Sequence, residues 1–333
     1  MKKLINSPEN VVAESVEGFA QAHSDIVTRA TDPLFVARTE KKESGKVAIV
    51  SGGGSGHEPL HAGFVGHGML DAAVPGAMFT SPTPDAIQAA TDAVNAGAGV
   101  LYIVKNYTGD VLNFDTAAEL AEFDDIEVSQ VIVDDDVAVE DSTYTAGRRG
   151  VAGTLLVEKL AGAAAERGDD LAAVTAVAKK VVENTATMGA ALTACTVPHV
   201  GKPSFDLGED EVELGVGIHG EPGRKEIPLI SADDVTDHLL DPILSDLKLG
   251  EGERAIVVVN GMGATPASEL YVVYRRVAQR LNNDGVTIER SLVGNFVTSL
   301  DMAGCSVTVM RADDEDVALF DAPCHTAALR QGM

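Results

Sequence analysis

Three segments of this sequence place a reactive side chain directly beside glycines. His57 follows the glycine-rich stretch SGGGSG, Lys105 and Asp110 bound the segment KNYTGD, and His219 stands between glycines in GIHGEPG. An imidazole, an ammonium and a carboxylate are the groups needed to bind the oxygens of a small substrate and to move a proton. The competing interpretations are a turn with a salt-bridged lysine and a solvated aspartate, and a histidine with an ordinary polar role. The residues alone leave both open.

The glycine-rich stretch fits neither of two common nucleotide-binding motifs. In a dinucleotide-binding fingerprint the third glycine would fall on His57, and the Gly-Lys-Ser/Thr of a P-loop does not follow. The stretch comes directly after the strand pattern KVAIV (46–50), so we expect a loop at the carboxyl end of a strand. Ligands bind at such ends in open α/β sheets. A structural turn and a ligand loop, whose glycines let a ligand approach the backbone, both remain possible.

Strand and helix patterns alternate around these segments. A short helix is expected after the glycines, a helix over 83–97 that stops at Gly97, and a long helix stopped by Gly168. Between them GVLYIVK and EVSQVIVDDD read as strands, FDTAAELAEF reads as a helix, and the helical pattern continues over DLAAVTAVAKKVVENTATMGAAL. Strands that alternate with helices of this length predict a parallel α/β sheet.

The length of the chain predicts two domains, because 333 residues exceed what one compact core usually holds. We place the boundary between 183 and 184, giving an N-terminal parallel-type α/β domain (1–183) and a second, two-layer α/β domain (184–333). In the second half, EVELGVGIHGEPG and RAIVVVNGMGATPASEL each run from a strand into a glycine turn. Glycine segments in both halves predict a site at their junction, where pockets often lie.

The charge of the chain is strongly acidic, with 51 Asp and Glu against 25 Lys and Arg and a formal net charge of −26. Nucleic acid is disfavoured as a partner, because phosphate binding needs a basic footprint. Self-repulsion of this size strains a compact fold in dilute buffer, and molar salt screens it by shortening the Debye length to about 3 Å. The composition therefore predicts a halophilic protein, with a merely acidic one as the alternative.

Targeting signals and metal motifs are not evident. No apolar run approaches the ~20 residues of a membrane span, and MKKLINSPENVVAES has no apolar core of a signal peptide. The cysteines Cys195, Cys305 and Cys324 lie far apart and fit no metal motif. The aspartates at 134–136 fit a charged loop better than a metal cluster, since alternation would splay the middle side chain. We expect free thiols, no metal, no membrane and a cytoplasmic location.

Long segments of the chain closely resemble the substrate-binding K subunit of the dihydroxyacetone (glycerone) kinase family, of the phosphotransferase-system type. The likeness runs nearly from end to end. It is carried by SGGGSGHEPLHAGFVGHGMLDAAVPGAMFTSPTPDAI, VKNYTGDVLNFDTA, VDDDVAV, YTAGRRGVAGTLLVEKLAGAAAERG, ACTVPHVGKPSF, GVGIHGEPG and FDAPCHT.

The resemblance implies two α/β domains, a homodimer and dihydroxyacetone as substrate. It makes His219, in the C-terminal domain, the residue that bonds covalently to the substrate carbonyl carbon as a hemiaminal. His57 and Asp110 correspond to the pair that assists this addition and handles the proton during phosphoryl transfer. The family's substrate-contact positions fall on Gly54, Ser55, Gly56, His57, Lys105, Asp110 and His219.

The resemblance also implies that no cofactor resides on this chain. A separate L subunit would hold ADP and Mg²⁺ and would be rephosphorylated by a multiphosphoryl M subunit. An ATP-dependent glycerone kinase remains an alternative for the donor. A triose-sensing module that acts on a transcriptional regulator is the alternative to catalysis. A nucleotide-binding oxidoreductase is disfavoured, because the third glycine of its fingerprint is missing.

Overall fold

The structure, a computed structural model, describes residues 2–40, 45–139, 146–221 and 223–333. Up to residue 191 its helices and strands are α1 (Val11–Ala22), β1 (Val27–Thr31), β2 (Leu34–Arg38), β3 (Ala48–Ser55), β4 (Gly66–His67), β5 (Ala72–Met78), α2 (Pro84–Val94), β6 (Val100–Lys105), α3 (Thr108–Phe123), β7 (Val128–Val133), α4 (Thr154–Arg167), α5 (Leu171–Glu183) and β8 (Thr185–Ala191). They are followed by β9 (Glu211–Leu214), β10 (Lys225–Pro228), α6 (Ala232–Leu247), β11 (Arg254–Gly261), α7 (Ala267–Asn283), β12 (Thr287–Gly294), β13 (Gly304–Arg311), α8 (Asp314–Asp321), β14 (Cys324–Thr326) and β15 (Arg330–Gln331).

The described chain divides into two compact units, each built from separate stretches of sequence. The N-terminal unit comprises 2–133, 154–181 and 318–333, and the C-terminal unit comprises 134–153 and 182–317. The chain passes between the units at 181/182, beside the boundary expected at 183/184, and also at 133/134, 153/154 and 317/318.

The N-terminal unit contains a six-stranded sheet in the order β1-β2-β5-β3-β6-β7. Strands β5, β3, β6 and β7 are parallel, whereas β1 and β2 add an antiparallel edge. Alternate side chains of the central strands, such as Val50 and Tyr102, form a core with Ile87 of α2 and Phe114 of α3. The parallel α/β sheet predicted from the alternation of strands and helices is confirmed.

Helix α4 lies against β3 and β6 and is buried on all sides from residue 154 to residue 165. A helix with an apolar surface all round belongs in a core, and the sequence LLVEKLAGAAA has that surface except for Glu158 and Lys159. The Lys159 ammonium donates to the carbonyls of Leu319 and Ala322, both at 2.9 Å. The last residues of the chain are thereby fixed to this unit, where β14 pairs with β4 and with β15.

The C-terminal unit contains a six-stranded sheet in the order β10-β9-β8-β13-β11-β12. It is antiparallel except for the pair β11/β12. Leu239 of α6 and Val277 of α7 pack with Val257 and Val307 of the sheet in one apolar core. A sheet covered by two helices is the second α/β domain that the sequence predicts.

Two of the predicted helices differ from the structure. The helix expected over DLAAVTAVAKKVVENTATMGAAL ends at Glu183, and Thr185–Ala191 form β8. Helix patterning fails here because β8 is buried on both faces and is defined by its pairing with β13, a contact distant in sequence. After the glycine-rich stretch, the expected helix is only a single 3₁₀ turn, Ala62–Phe64.

Candidate functional site

The glycine-rich stretch continues strand β3 instead of forming a loop, contrary to the sequence-based expectation. A Cβ atom at Gly52 would lie 2.6 Å from the Val74 carbonyl oxygen, and one at Gly54 would lie 2.5 Å from the Thr80 nitrogen. A Cβ atom at Gly53 would overlap the ammonium of Lys105. These glycines therefore allow close packing of the backbone and of Lys105. Contact of this segment with a substrate stays a prediction.

The residues at the end of β3 and just after it position the ring of His57. Ser55 donates a hydrogen bond to the carbonyl of Gly76 at 2.7 Å. Gly56 has φ +108°, and its Cβ atom would lie 2.6 Å from the Phe79 ring, so a side chain is excluded here on both grounds. The His57 imidazole is 1% exposed and stacks on Phe79, with ring centroids 4.9 Å apart and planes 14° apart. Packing against Phe79 thus contributes to its orientation.

Lys105 is the last residue of β6 and is 1% exposed. Its ammonium donates to His61 Nε2 at 2.9 Å and to the Gly52 carbonyl at 3.3 Å. Burial lowers the pKa of Lys105, and the charges of Asp110 and Glu158 act in the opposite direction. The side chain is therefore a buried cation with two carboxyl groups near it, and burial raises the pKa of one of them, Glu158, well above its ordinary value.

Asp110 lies in the first turn of α3, where the positive end of the helix dipole favours a carboxylate. It is 4% exposed, and its Oδ2 stands 3.9 Å from the Lys105 ammonium. Its Oδ1 is buried and accepts no hydrogen bond from any residue that the structure describes. A buried acceptor without a partner is costly unless a ligand or water satisfies it, which makes this oxygen a candidate proton acceptor.

His219 lies in the C-terminal unit, in the loop after β9. Its Nδ1 is 2.8 Å from Glu221 Oε1, and its backbone N–H donates to Glu221 Oε2 at 3.0 Å. Because a carboxylate only accepts, we assign the ring hydrogen to Nδ1, which leaves the lone pair on Nε2. The side chain is 18% exposed, so a small molecule has access to part of the ring.

Glu221 is almost completely buried, and burial alone would raise the pKa of its carboxyl. The hydrogen bond from His219 and the nearby charges of His219 and Arg149 outweigh burial, so that the pKa of Glu221 falls to about 2. Arg149 is itself fully buried and donates to Asp136 and to the Gly215 carbonyl, both at 2.8 Å. Burial raises the pKa of Asp136 to about 6 against the opposing charge of Arg149. This pair fixes the base of the His219 loop.

The residues predicted from the sequence are thus distributed over the two units. His57, Lys105 and Asp110 belong to the N-terminal unit, in which Lys105 and Asp110 adjoin one another, and His219 belongs to the C-terminal unit. Sequence reasoning missed the groups that hold these side chains: His61 and Glu158 beside Lys105, and Glu221 and Arg149 near His219. The signals were a carboxylate two residues after His219 and a glutamate in the apolar helix α4.

Two further observations concern the described residues only. None of the helices they form is both long enough and apolar enough to cross a lipid bilayer. The cysteines Cys195, Cys305 and Cys324 are buried and form no disulfide, as expected from their spacing.

The chain belongs to the Dak1 domain family, whose sequence model matches residues 17–328. One relative is a protein of Listeria innocua named PTS-dependent dihydroxyacetone kinase 1, dihydroxyacetone-binding subunit DhaK. It is 53% identical over 329 residues, which cover 98% of this chain and 100% of the relative. The resemblance seen in the sequence is therefore confirmed.

Solved structures agree with this assignment. The native form of the dihydroxyacetone kinase of C. freundii matches with a TM-score of 0.91 and 37% identity, over 99% of this chain and 60% of that one. A structure described as the dihydroxyacetone kinase operon co-activator Dha-DhaQ matches with a TM-score of 0.90 and 33% identity, over 96% of this chain and 98% of that one.

Proposed function

We propose that this chain binds dihydroxyacetone and presents one of its hydroxyl groups for phosphorylation, as the dihydroxyacetone-binding subunit of a kinase. Similarity over the whole length of a relative with that name supports the proposal. The observation that carries it is the pairing of His219 with Glu221, which keeps the imidazole in the form whose Nε2 is a nucleophile. The triose would be held on that nitrogen as a hemiaminal.

A covalent link would raise the affinity for a substrate that is too small to bind tightly through noncovalent contacts. Dihydroxyacetone has six non-hydrogen atoms, and a ceiling of about −1.5 kcal/mol per atom limits noncovalent binding to about −9 kcal/mol. A strongly hydrated triose would fall well short of that limit. A carbon–nitrogen bond adds affinity and also selects for a carbonyl. Glycerol, which offers similar hydroxyls without a carbonyl, could not form the adduct.

The proposed addition needs few groups. The lone pair of His219 Nε2 forms a bond to the carbonyl carbon, and the π electrons of the carbonyl move to its oxygen, which takes a proton and becomes a hydroxyl. No water is lost. The ring carries a positive charge until its Nδ1 proton shifts toward Glu221, and the adjoining carboxylate stabilises that charge. His57 is the proposed donor of the proton to the oxygen.

Phosphoryl transfer mainly requires alignment and the handling of charge. We propose Asp110 as the base that accepts the proton of the acceptor hydroxyl, since its buried Oδ1 has no partner among the described residues. Lys105 would bind a substrate oxygen. The donor would be held by a separate L subunit with ADP and Mg²⁺, supplied by an M subunit, and this chain would act as a homodimer without a cofactor of its own. An ATP-dependent donor is the alternative.

The hemiaminal is tested by intact-protein mass spectrometry with dihydroxyacetone, after trapping under mild conditions. The wild-type chain is expected to gain about 90 Da, the mass of the whole triose, since the addition loses no water. His219→Ala should show no gain. His199→Ala, which changes an exposed histidine of the same unit, is the matched control and should react like the wild type. An adduct that persists in His219→Ala would remove this residue from the mechanism.

A sensor function is the second candidate, and the similarity to the operon co-activator favours it. A sensor would bind the triose without catalysis. The two functions are separated by reconstitution with an L subunit and either a phosphoryl relay or ATP. Formation of dihydroxyacetone phosphate identifies a kinase subunit. An adduct without product under both conditions identifies a sensor.

A further inference from the structure

A chain of buried polar groups lies behind Lys105. His61 Nε2 accepts from the Lys105 ammonium at 2.9 Å, and His61 Nδ1 lies 2.6 Å from Glu158 Oε1. Ser51 Oγ, which donates to the Ile103 carbonyl at 2.7 Å, adjoins the same Nδ1 at 3.1 Å. The three residues come from β3, from the turn after it and from α4. The function proposed above assigns no role to any of them.

The hydrogens of this chain can be placed. An ammonium only donates, so His61 Nε2 is the acceptor. The hydrogen of the His61 ring is therefore on Nδ1, which donates it to Oε1 of the Glu158 carboxyl group. Burial lowers the pKa of His61 well below its ordinary value, and the charge of Lys105 acts in the same direction, so the ring is neutral. The imidazole thus connects the buried Lys105 ammonium to the carboxyl group of Glu158, whose pKa burial raises well above its ordinary value.

The position of the ammonium is the informative feature. Lysine has a flexible four-carbon stem, and its ammonium would ordinarily form a direct ion pair with a neighbouring carboxylate. Here it stands 3.9 Å from Asp110 Oδ2, beyond hydrogen-bond distance, while it donates to His61 and to Gly52 on the other side. The cation is close enough to act on charge at Asp110 without donating a hydrogen bond to the carboxylate at that distance.

We propose that His61 and Glu158 are positioning residues that hold the Lys105 ammonium away from direct pairing with Asp110, so that both groups remain available to the substrate. This inference rests on the proposed function, in which Asp110 is the base and Lys105 binds a substrate oxygen. Removal of the acceptor at His61 would let Lys105 close on Asp110 and occupy the base.

The ionisable groups around Lys105 set its pKa and, with it, the pH dependence expected for kcat/KM. They are Asp110 on α3, Glu158 on α4 and His61 after β3, and His57 lies near enough to lower the pKa of His61. Glu158 raises the pKa of Lys105 against the effect of burial. Burial raises the pKa of Glu158 itself well above its ordinary value, so its charge acts on Lys105 at alkaline pH. Glu158→Gln removes that charge, and the cationic form of Lys105 is then lost at lower pH. The alkaline limb of kcat/KM should then move toward neutrality by about one pH unit.

The test uses the full chain, reconstituted with L subunit and phosphoryl donor. His61→Leu should lower kcat about 10- to 100-fold while the mass of the triose adduct on His219 is retained, and His61→Gln, which keeps an acceptor, should recover much of the loss. Glu158→Gln should shift the alkaline limb of the pH profile of kcat/KM toward neutrality. Glu166→Gln is the control, since it makes the same change on the same helix in a residue that forms an ion pair with Arg38. It should leave both kcat and the alkaline limb of kcat/KM unchanged.

The outcomes are distinct. A wild-type chain that forms neither adduct nor product contradicts the proposed function. A crystal structure of His61→Leu without substrate then still decides the inference, because it should show the ammonium within about 3 Å of an Asp110 oxygen. An unchanged ammonium position, a normal kcat in His61→Leu, or an equal effect of Glu166→Gln overturns the positioning role. Thermal unfolding of each variant confirms that it is folded.

Discussion

Replacement of Glu221 by glutamine tests how much the His219 nucleophile depends on its neighbouring charge. The change keeps the size of the side chain and a possible acceptor for the Nδ1 hydrogen, but it removes the negative charge. The pKa of Glu221 is lowered from 4.5 to about 2, so its ionised form is stabilised by about 3 kcal/mol in this environment. The hydrogen bond and charge of His219, the charge of Arg149 and a backbone hydrogen bond lower this pKa, against the effect of burial.

The charge of His219 rises when the ring attacks a carbonyl, so the loss of Glu221 falls mainly on the adduct. We expect Glu221→Gln to weaken the triose adduct about 10- to 100-fold, corresponding to about 1.4–3 kcal/mol. The measurement is a titration with dihydroxyacetone labelled with ¹³C at its carbonyl, in which the ketone and hemiaminal carbons give separate signals.

Glu213→Gln is the matched control for this variant. Its Oε1 accepts from the Gly223 backbone at 2.7 Å, so it supports the same loop at the other side. Adduct formation in Glu213→Gln should stay within about 3-fold of the wild type, because the His219 ring keeps its partner. Wild-type affinity in Glu221→Gln, or an equal loss in both variants, would refute the role given to this charge.

The lowered pKa of Glu221 also makes the free energy of unfolding depend on pH, and this dependence can be compared between the wild type and Glu221→Gln. A carboxyl whose pKa is lower in the folded than in the unfolded state stabilises the fold fully at pH values above its ordinary pKa of 4.5. That stabilisation is lost as the pH falls from 4.5 toward the folded-state pKa of about 2. The unfolding free energy of the wild type should therefore fall more steeply over this range than that of Glu221→Gln.

The remaining predictions concern the proposed base and the surface. Asp110→Asn should retain the adduct and lose about 10²- to 10⁴-fold in kcat of the reconstituted enzyme, and near-normal turnover would reject Asp110 as the base. The net charge of −26 predicts that the unfolding midpoint rises by about 10 °C or more between dilute buffer and molar NaCl. A neutral osmolyte, which favours burial without screening charge, serves as control, and a midpoint insensitive to salt would contradict a halophilic protein.

The sequence predicted those elements whose signals are local. Helix α2 has Thr-Pro-Asp at its start and Gly97 after its end, and helix α4 stops before Gly168, which has φ +94°. Both could be located from capping and breaking residues alone. Helix α6 has the same kind of local signal, since the side chain of Ser231 accepts a hydrogen bond from the Asp234 backbone.

Other features depend on contacts that are distant in sequence. A run of three glycines predicts a loop on propensity, yet it forms part of a buried strand because Val74, Thr80 and Lys105 occupy the space where side chains would be. The strand β8 and the buried pair Arg149–Asp136 are likewise defined by tertiary partners. The reactive residues were recognisable by type, whereas the groups that fix their protonation and position were not.

The place of residues 318–333 has a consequence for how the protein is made. These residues complete the unit that contains α1, since β4 pairs with β14, and Lys159 donates to the carbonyls of Leu319 and Ala322. During translation the first unit therefore cannot be completed until residues 318–333 have left the ribosome, because Lys159 lacks these acceptors and β4 lacks β14 before then. The segments that encode its partner unit are synthesised in the meantime, so neither half can be obtained intact by cutting the gene once.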